Sequence, residues 1–231
     1  MFRILFQGDS ITDGNRFKDE DLRWDLNHQI GHSYAYIVAA HLLKNHLGKF
    51  EFINRAVSGN TEKHLAERWQ KDTLDHCPDL LSILLGINGF GVEVVDFTEE
   101  KVKQFLQEFD TTYRYLLDST LKVNPNVKFV LIEPFCLPAG KYKENYDEFM
   151  KSFSLKQEIV KRIAEDYNAM FIPTQKQLNE FVNECASKFA ELGCKIDPNE
   201  YWLWDGIHGT EALHGFLAER WFEVTKGVLP F

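Results

Sequence analysis

Five short apolar runs, Phe2–Phe6, Phe50–Asn54, Leu80–Leu85, Lys128–Glu133 and Met170–Ile172, recur along the chain with longer segments of a different period between them. Each is too short for a stable helix and rich in Phe, Ile, Leu and Val, the pattern of a strand covered on both faces. The segments between them repeat apolar residues at i, i+3 and i+4. HSYAYIVAAHLLKNHL from His32 and EEKVKQFLQEFDTTYRYLLDSTL from Glu99 do so over several turns. Further helices are expected over Thr61–Asp75, Glu148–Tyr167, Lys176–Leu192 and Thr210–Lys226. Strands separated by helices of this length need crossover connections, which lay them parallel with helices on both faces. The expected fold is therefore α/β, a three-layer α/β/α sandwich around a five-stranded parallel sheet.

No internal repeat, low-complexity tract or Gly/Ser-rich linker divides the 231 residues, so one domain over 1–231 is expected. Three segments resist assignment, Asn15–Gly31, Pro134–Asp147 and Gly193–Trp204, and folds of this class carry their sites on such loops beyond the strands' carboxyl ends. A net charge of -9 with no basic stripe argues against a nucleic-acid partner. No segment approaches the ~20 apolar residues of a membrane span, and Phe2–Phe6 is too short for a secretion signal. Cys77, Cys136, Cys185 and Cys194 form no CxxC pair, which disfavours a zinc or redox site. Reduced thiols and a cytoplasmic location are the expectation.

Gly8-Asp9-Ser10 follows the first strand directly, placing Ser10 where open α/β sheets present their ligands. Read alone, the tripeptide serves equally as a turn and helix cap. A hydroxyl is a weak nucleophile near neutral pH and needs a base within hydrogen-bond reach, itself oriented by a third group. Of the eight histidines, His41, His46, His64 and His76 sit within helical patterns, His28 and His32 lie near the first irregular segment, and His214 falls inside the final helix. His208 differs: Asp205 precedes it by three residues in YWLWDGIHGT. A carboxylate at that spacing can fold back on the imidazole, fix its tautomer and stabilise its cation. The pair alone would also serve as the N-terminal cap of the last helix.

Four separated blocks together resemble the GDSL, or SGNH, hydrolase family: Gly8–Thr12 (GDSIT), Asn54–Asn60 (NRAVSGN), Gly86-Ile87-Asn88, and Asp205-x-x-His208. They occur in the family's order and span almost the whole chain. The resemblance implies a flavodoxin-like SGNH fold, Ser10, Asp205 and His208 as a catalytic triad, and an oxyanion hole of the Ser10 and Gly59 N–H groups with the Asn88 side-chain amide. AERWQKDTLDHCPDLLSILLGIN and FVLIEPFCLP are closest to bacterial carbohydrate-esterase-type members. Two positions depart from the pattern. Gly89 stands where the third block usually continues with Asp, which puts the rigidity of that loop in question. Gly209 stands where relatives often have Pro, which is expected to loosen the start of the final helix.

These readings lead to a serine esterase or acylhydrolase that cleaves an ester of a short acyl group, on an O-acetylated carbohydrate or other small ester, without a cofactor or a metal. Asp9, Trp24, Phe90 and Trp204 are candidate substrate contacts. Lysophospholipase or thioesterase activity, and a non-catalytic carbohydrate-binding protein on the same fold, are the alternatives. Gly31-His32-Ser33-Tyr34-Ala35 nearly matches a nucleophile elbow, but no apolar strand leads into it, and Ser33 reads as a helix cap. No phosphate-binding glycine pattern follows a strand.

Overall fold

The computed structural model describes residues 1–18, 26–90 and 92–231. Strand β1, Phe2–Gly8, runs straight into the one-turn helix α1, Ser10–Asp13, and is followed by α2, Leu26–Ile30, and α3, Tyr34–Asn45. Strand–helix pairs then alternate: β2 (Phe50–Asn54) with α4 (Glu62–Asp72), β3 (Leu80–Leu84) with α5 (Glu99–Val123), β4 (Lys128–Ile132) with α6 (Tyr146–Asp166), and β5 (Met170–Ile172) with α7 (Gln175–Leu192). The short α8, Pro198–Trp202, and the long α9, Glu211–Thr225, complete the order.

The strands form one sheet in the order β2-β1-β3-β4-β5, every pair parallel. Successive side chains of a strand point to opposite faces, and the core divides accordingly. Ile4 and Phe6, Leu80 and Leu84, and Val130 and Ile132 face one layer, built mainly from α3 and α9. Leu5, Leu81, Ile83, Phe129 and Leu131 face the other, built from α4, α5 and the later turns of α6. This is the three-layer α/β/α sandwich expected from the alternation of periods. The expected strands recur within two residues at each end, and β2 and β5 coincide with the sequence reading.

The differences lie in the loops. The first long helix begins at Tyr34 rather than His32, because the Ser33 hydroxyl accepts from Ala35 N at 3.3 Å and donates to Thr12 O at 2.8 Å. Ser33 is thus a buried helix cap. Two segments without periodicity contain one short helix each. α2 lies within Asn15–Gly31, and α8 begins where Asp197 accepts from Asn199 N at 2.9 Å with Pro198 in the first turn. A single turn has too few positions to show an apolar stripe. The four cysteines are unpaired. Among the described residues, no helix is long and apolar enough to cross a membrane.

Candidate active site

In this strand order β1 is flanked by β2 and β3, so the segments leaving their carboxyl ends are neighbours at the point where the winding reverses direction. Ser10 follows β1, Gly59 follows β2 and Asn88 follows β3. Gly8 is required at the end of β1. Its φ is 149°, and a Cβ there would stand 2.2 Å from the Leu84 carbonyl oxygen of β3. Asp9 then caps α1, accepting from Ile11 N at 3.0 Å, and Ser10 takes the first helical position.

The Ser10 Oγ is 2.8 Å from His208 Nε2, and His208 Nδ1 is 2.7 Å from Asp205 Oδ2. The other carboxylate oxygen of Asp205 accepts from the backbone N–H of His208 at 2.8 Å and of Ile207 at 3.1 Å. Partial burial pushes Asp205 up, but the backbone N–H of His208, its ring and the Ile207 N–H together hold the carboxyl below the ordinary value. The carboxylate therefore stays ionised, and its bond fixes hydrogen on Nδ1. Nε2 is left to accept from the serine hydroxyl.

The Asp205–His208 turn is rigid. Leu203 and Gly209 form an antiparallel bridge, and Trp204 N donates to His208 O at 3.1 Å. Leu137 N donates to Gly206 O at 2.9 Å, and a Cβ on Gly206, whose φ is 96°, would come within 2.6 Å of Ala139 O. Thr210 secures the next step, its hydroxyl donating to Tyr201 O at 2.6 Å. The expected loosening at Gly209 is thus not found. Its backbone joins the bridge, and a Cβ would meet Leu213 Cδ2 at 2.3 Å.

The remaining site residues are tied together through the backbone. Ser58 N donates to Asp13 Oδ2 at 2.8 Å, linking the Gly59 loop to the helix that carries Ser10. Asn88 Nδ2 donates to Asn60 O at 3.2 Å, linking the β3 loop to the same segment. Arg68 steadies that segment through Asn60 Oδ1 at 2.8 Å and Arg55 O at 2.7 Å. Gly59 is exposed with φ 79°, and neither its N–H nor that of Ser10 has a partner among the described residues. Three donors in adjacent loops are thus available to an anion: two backbone N–H groups and the second N–H of the Asn88 amide.

Of the four substrate contacts expected from sequence, two are buried in the structure. Asp9 is 1% exposed, because its carboxyl turns inward to cap α1. Burial pushes its pKa up to about 7 against the lowering effects of the Ile11 N–H, His208 and Lys156. Phe90 is also 1% exposed and belongs to the core, packed beside the Lys156 ammonium at 5.1 Å. Trp24 lies outside the described residues. Trp204 is 60% exposed, and its ring stacks on His208 with centroids 5.5 Å apart and an 18° interplanar angle.

Trp204 borders a cleft of about 490 Å³ that opens on Ser10 and His208 and whose lining includes Ile11, Asn15, His32, Thr210, Glu211 and His214. His214, placed by the sequence inside the final helix and away from the Asp205–His208 turn, lines this cleft. Its Nδ1 accepts from Tyr34 N at 3.2 Å, and burial lowers its pKa to about 4, with Glu211 pulling the other way. The neutral ring must then carry its hydrogen on Nε2. Among the described residues no group of three or more His, Cys, Asp or Glu side chains could hold a metal ion.

The family model for GDSL-like lipases and acylhydrolases matches residues 6–215. The chain belongs to this family. Its members are esterases and acylhydrolases, and the five-stranded parallel sheet matches their solved structures. A Parabacteroides merdae protein described as a GDSL-like lipase superposes with a TM-score of 0.79 and 31% identity, over 97% of this chain and 95% of that one. The acetylxylan esterase of Geobacillus stearothermophilus is 31% identical over 220 residues, 94% of this chain and 90% of the enzyme. Its crystal structure superposes with a TM-score of 0.70, over 96% of this chain and 93% of that one. Solved catalytic mutants of that esterase, with a serine, an aspartate or a histidine replaced by alanine, also match over 96% of this chain.

Proposed function

We propose that this chain is a serine esterase that removes a short acyl group, acetyl above all, from the hydroxyl of a carbohydrate or similar polyol. The observation that carries the reading is the continuous chain of short hydrogen bonds from Ser10 Oγ through His208 to Asp205, at 2.8 and 2.7 Å. In the first step Ser10 Oγ attacks the ester carbonyl carbon and its proton passes to His208 Nε2, the resulting imidazolium being stabilised by Asp205. The oxygen that gains charge accepts from the N–H groups of Ser10 and Gly59 and from Asn88 Nδ2, donors already held in place and needing little reorganisation. Collapse expels the alcohol, which takes the proton back from His208. Water, activated by the same imidazole, then releases the acid from Ser10. The chemistry needs no cofactor.

The carbohydrate preference rests on the cleft. Its large apolar side chains are Ile11 and Trp204, while Asn15, His32, Thr210, Glu211 and His214 offer hydrogen bonds. That lining suits an alcohol carrying several hydroxyls and gives a long alkyl chain little to bury against. An exposed indole beside the catalytic imidazole offers a face on which a sugar ring can stack. The acetylxylan esterase supports the reading. The aspartate and histidine changed in its catalytic mutants stand three positions apart, and a tryptophan changed in another mutant immediately precedes that aspartate, as Trp204 precedes Asp205 here.

The test is a steady-state profile over aryl esters of increasing acyl length, run beside acetylated xylo-oligosaccharides, for wild type and Trp204→Ala. Acetyl esters are expected to have the highest kcat/KM, and Trp204→Ala to raise KM for the oligosaccharide several-fold more than for the aryl acetate. A preference for long acyl chains would exclude the deacetylase reading.

A further inference from the structure

Lys156 lies on the buried stripe of α6, spaced with Phe149, Phe153, Val160 and Ile163, and is only 4% exposed. An ammonium withdrawn from water is unfavourable unless an ion pair or a full set of hydrogen bonds replaces its hydration. Lys156 has neither. Among the described residues no carboxylate is ion-paired with it, and its hydrogen-bond acceptor is the backbone carbonyl of Asn88, at 3.5 Å. Around that contact the ring centroids of Phe109 and Phe90 lie 4.4 and 5.1 Å from Nζ. Burial lowers the Lys156 pKa to about 8, while Glu62 of α4 and Asp9 beside the nucleophile pull it upward. The amine thus remains predominantly charged at neutral pH. A methionine could fill the same space between the rings without the desolvation cost, so packing does not account for the charge.

The group it grips belongs to the donor set. One N–H of the Asn88 amide is used on Asn60 O, and the direction of the other depends on the backbone at Asn88. That backbone is followed by Gly89 with φ 70°, a residue that leaves the joining peptide free to rotate. No other group holds the Asn88 carbonyl among the described residues.

We propose that Lys156 is a positioning residue of the oxyanion hole: its ammonium, seated between Phe90 and Phe109, anchors the Asn88 carbonyl and so aims the Asn88 amide at the developing oxyanion. The inference rests on the assignment of Asn88 as a donor in the ester hydrolysis proposed above. It explains why a lysine occupies an apolar position.

The experiment is a double-mutant cycle on p-nitrophenyl acetate hydrolysis with wild type, Lys156→Met, Asn88→Ala and the double variant, with Ser10→Ala as the reference for the reaction itself. Lys156→Met is expected to lower kcat at least tenfold with KM changed less than twofold. That loss is expected to shrink below twofold once Asn88 is alanine, because the donor it aims is gone. Lys156→Gln, which keeps a neutral N–H donor, is run through the same cycle and is expected to recover part of kcat. Circular dichroism and thermal unfolding check that each variant is folded, and the Gln cycle decides the matter if the Met variant is not. An equal loss in both Asn88 backgrounds, or no loss at all, overturns the proposal. If Ser10→Ala hydrolyses the ester as fast as wild type, it is the underlying esterase reading that fails.

Discussion

Replacing Asp205 with asparagine probes the proton relay while leaving the turn nearly intact. The Asp205 Oδ1 acceptor serves two backbone N–H groups, at 2.8 and 3.1 Å, and an amide oxygen can keep both. What changes is the contact at 2.7 Å to His208 Nδ1. An amide N–H placed there donates to Nδ1, driving the imidazole hydrogen onto Nε2, the atom that must accept from Ser10 Oγ. The negative charge that stabilises the imidazolium is lost as well. Together the wrong tautomer and the missing charge are expected to lower kcat by about 10³- to 10⁴-fold, roughly 4–5.5 kcal/mol at 1.36 kcal/mol per decade. Unfolding free energy should change by less than about 1 kcal/mol, since both backbone bonds survive. Steady-state hydrolysis of an aryl acetate gives the first quantity and urea unfolding the second. An Asp205→Asn variant within tenfold of wild-type kcat would refute the role assigned to this carboxylate.

Gly206→Ala is expected to cost ~2 kcal/mol or more in urea unfolding, because φ 96° is unfavourable for alanine and its Cβ would be forced to 2.6 Å from Ala139 O. Lost activity should accompany it, as the strain falls between Asp205 and His208. His214 supplies a pH dependence. Its folded pKa of about 4 lies below the ordinary value of 6.5, so between these values the unfolded chain binds the proton that the folded protein does not, and stability is lost as pH falls from 6.5 toward 4. The contribution is about 3 kcal/mol at most. His214→Gln, which keeps an acceptor for Tyr34 N, is expected to lose less stability than wild type between pH 7 and 4.5 in denaturant titrations. Asp9 acts in the opposite sense over part of this range, since its raised pKa favours folding at lower pH, so the informative quantity is the difference between the two proteins.

The fold was legible because each strand is a short, mainly apolar run, buried throughout in β3 and over most of β1 and β4, and each long helix carries a stripe of period 3.6. Both signals arise locally, from which face of an element the sheet covers. Exposure of single loop residues is not set locally, and the sequence did not show which of them would be buried. Asp9 stands between a glycine and the proposed nucleophile, which suggests a ligand contact, yet the cap geometry of α1 turns its carboxyl inward. Phe90 looked like a pocket wall beside Asn88, but the loop folds back and places it in the core. Trp204 is exposed beside the buried Leu203, whose bridge to Gly209 leaves the indole stacked on His208. Lys156 was visible in principle, as a charged residue on the apolar stripe of α6, but nothing in the sequence places that stripe beneath Asn88.

The central claim, that Ser10 is the activated nucleophile, is tested most directly by treating the protein with a fluorophosphonate and mapping the adduct by peptide mass spectrometry. The expected result is a single adduct on the peptide containing Ser10, absent from Ser10→Ala and strongly slowed in Asp205→Asn. A wild-type protein that stays unmodified under conditions that label a known serine esterase, or one modified at a different residue, contradicts it.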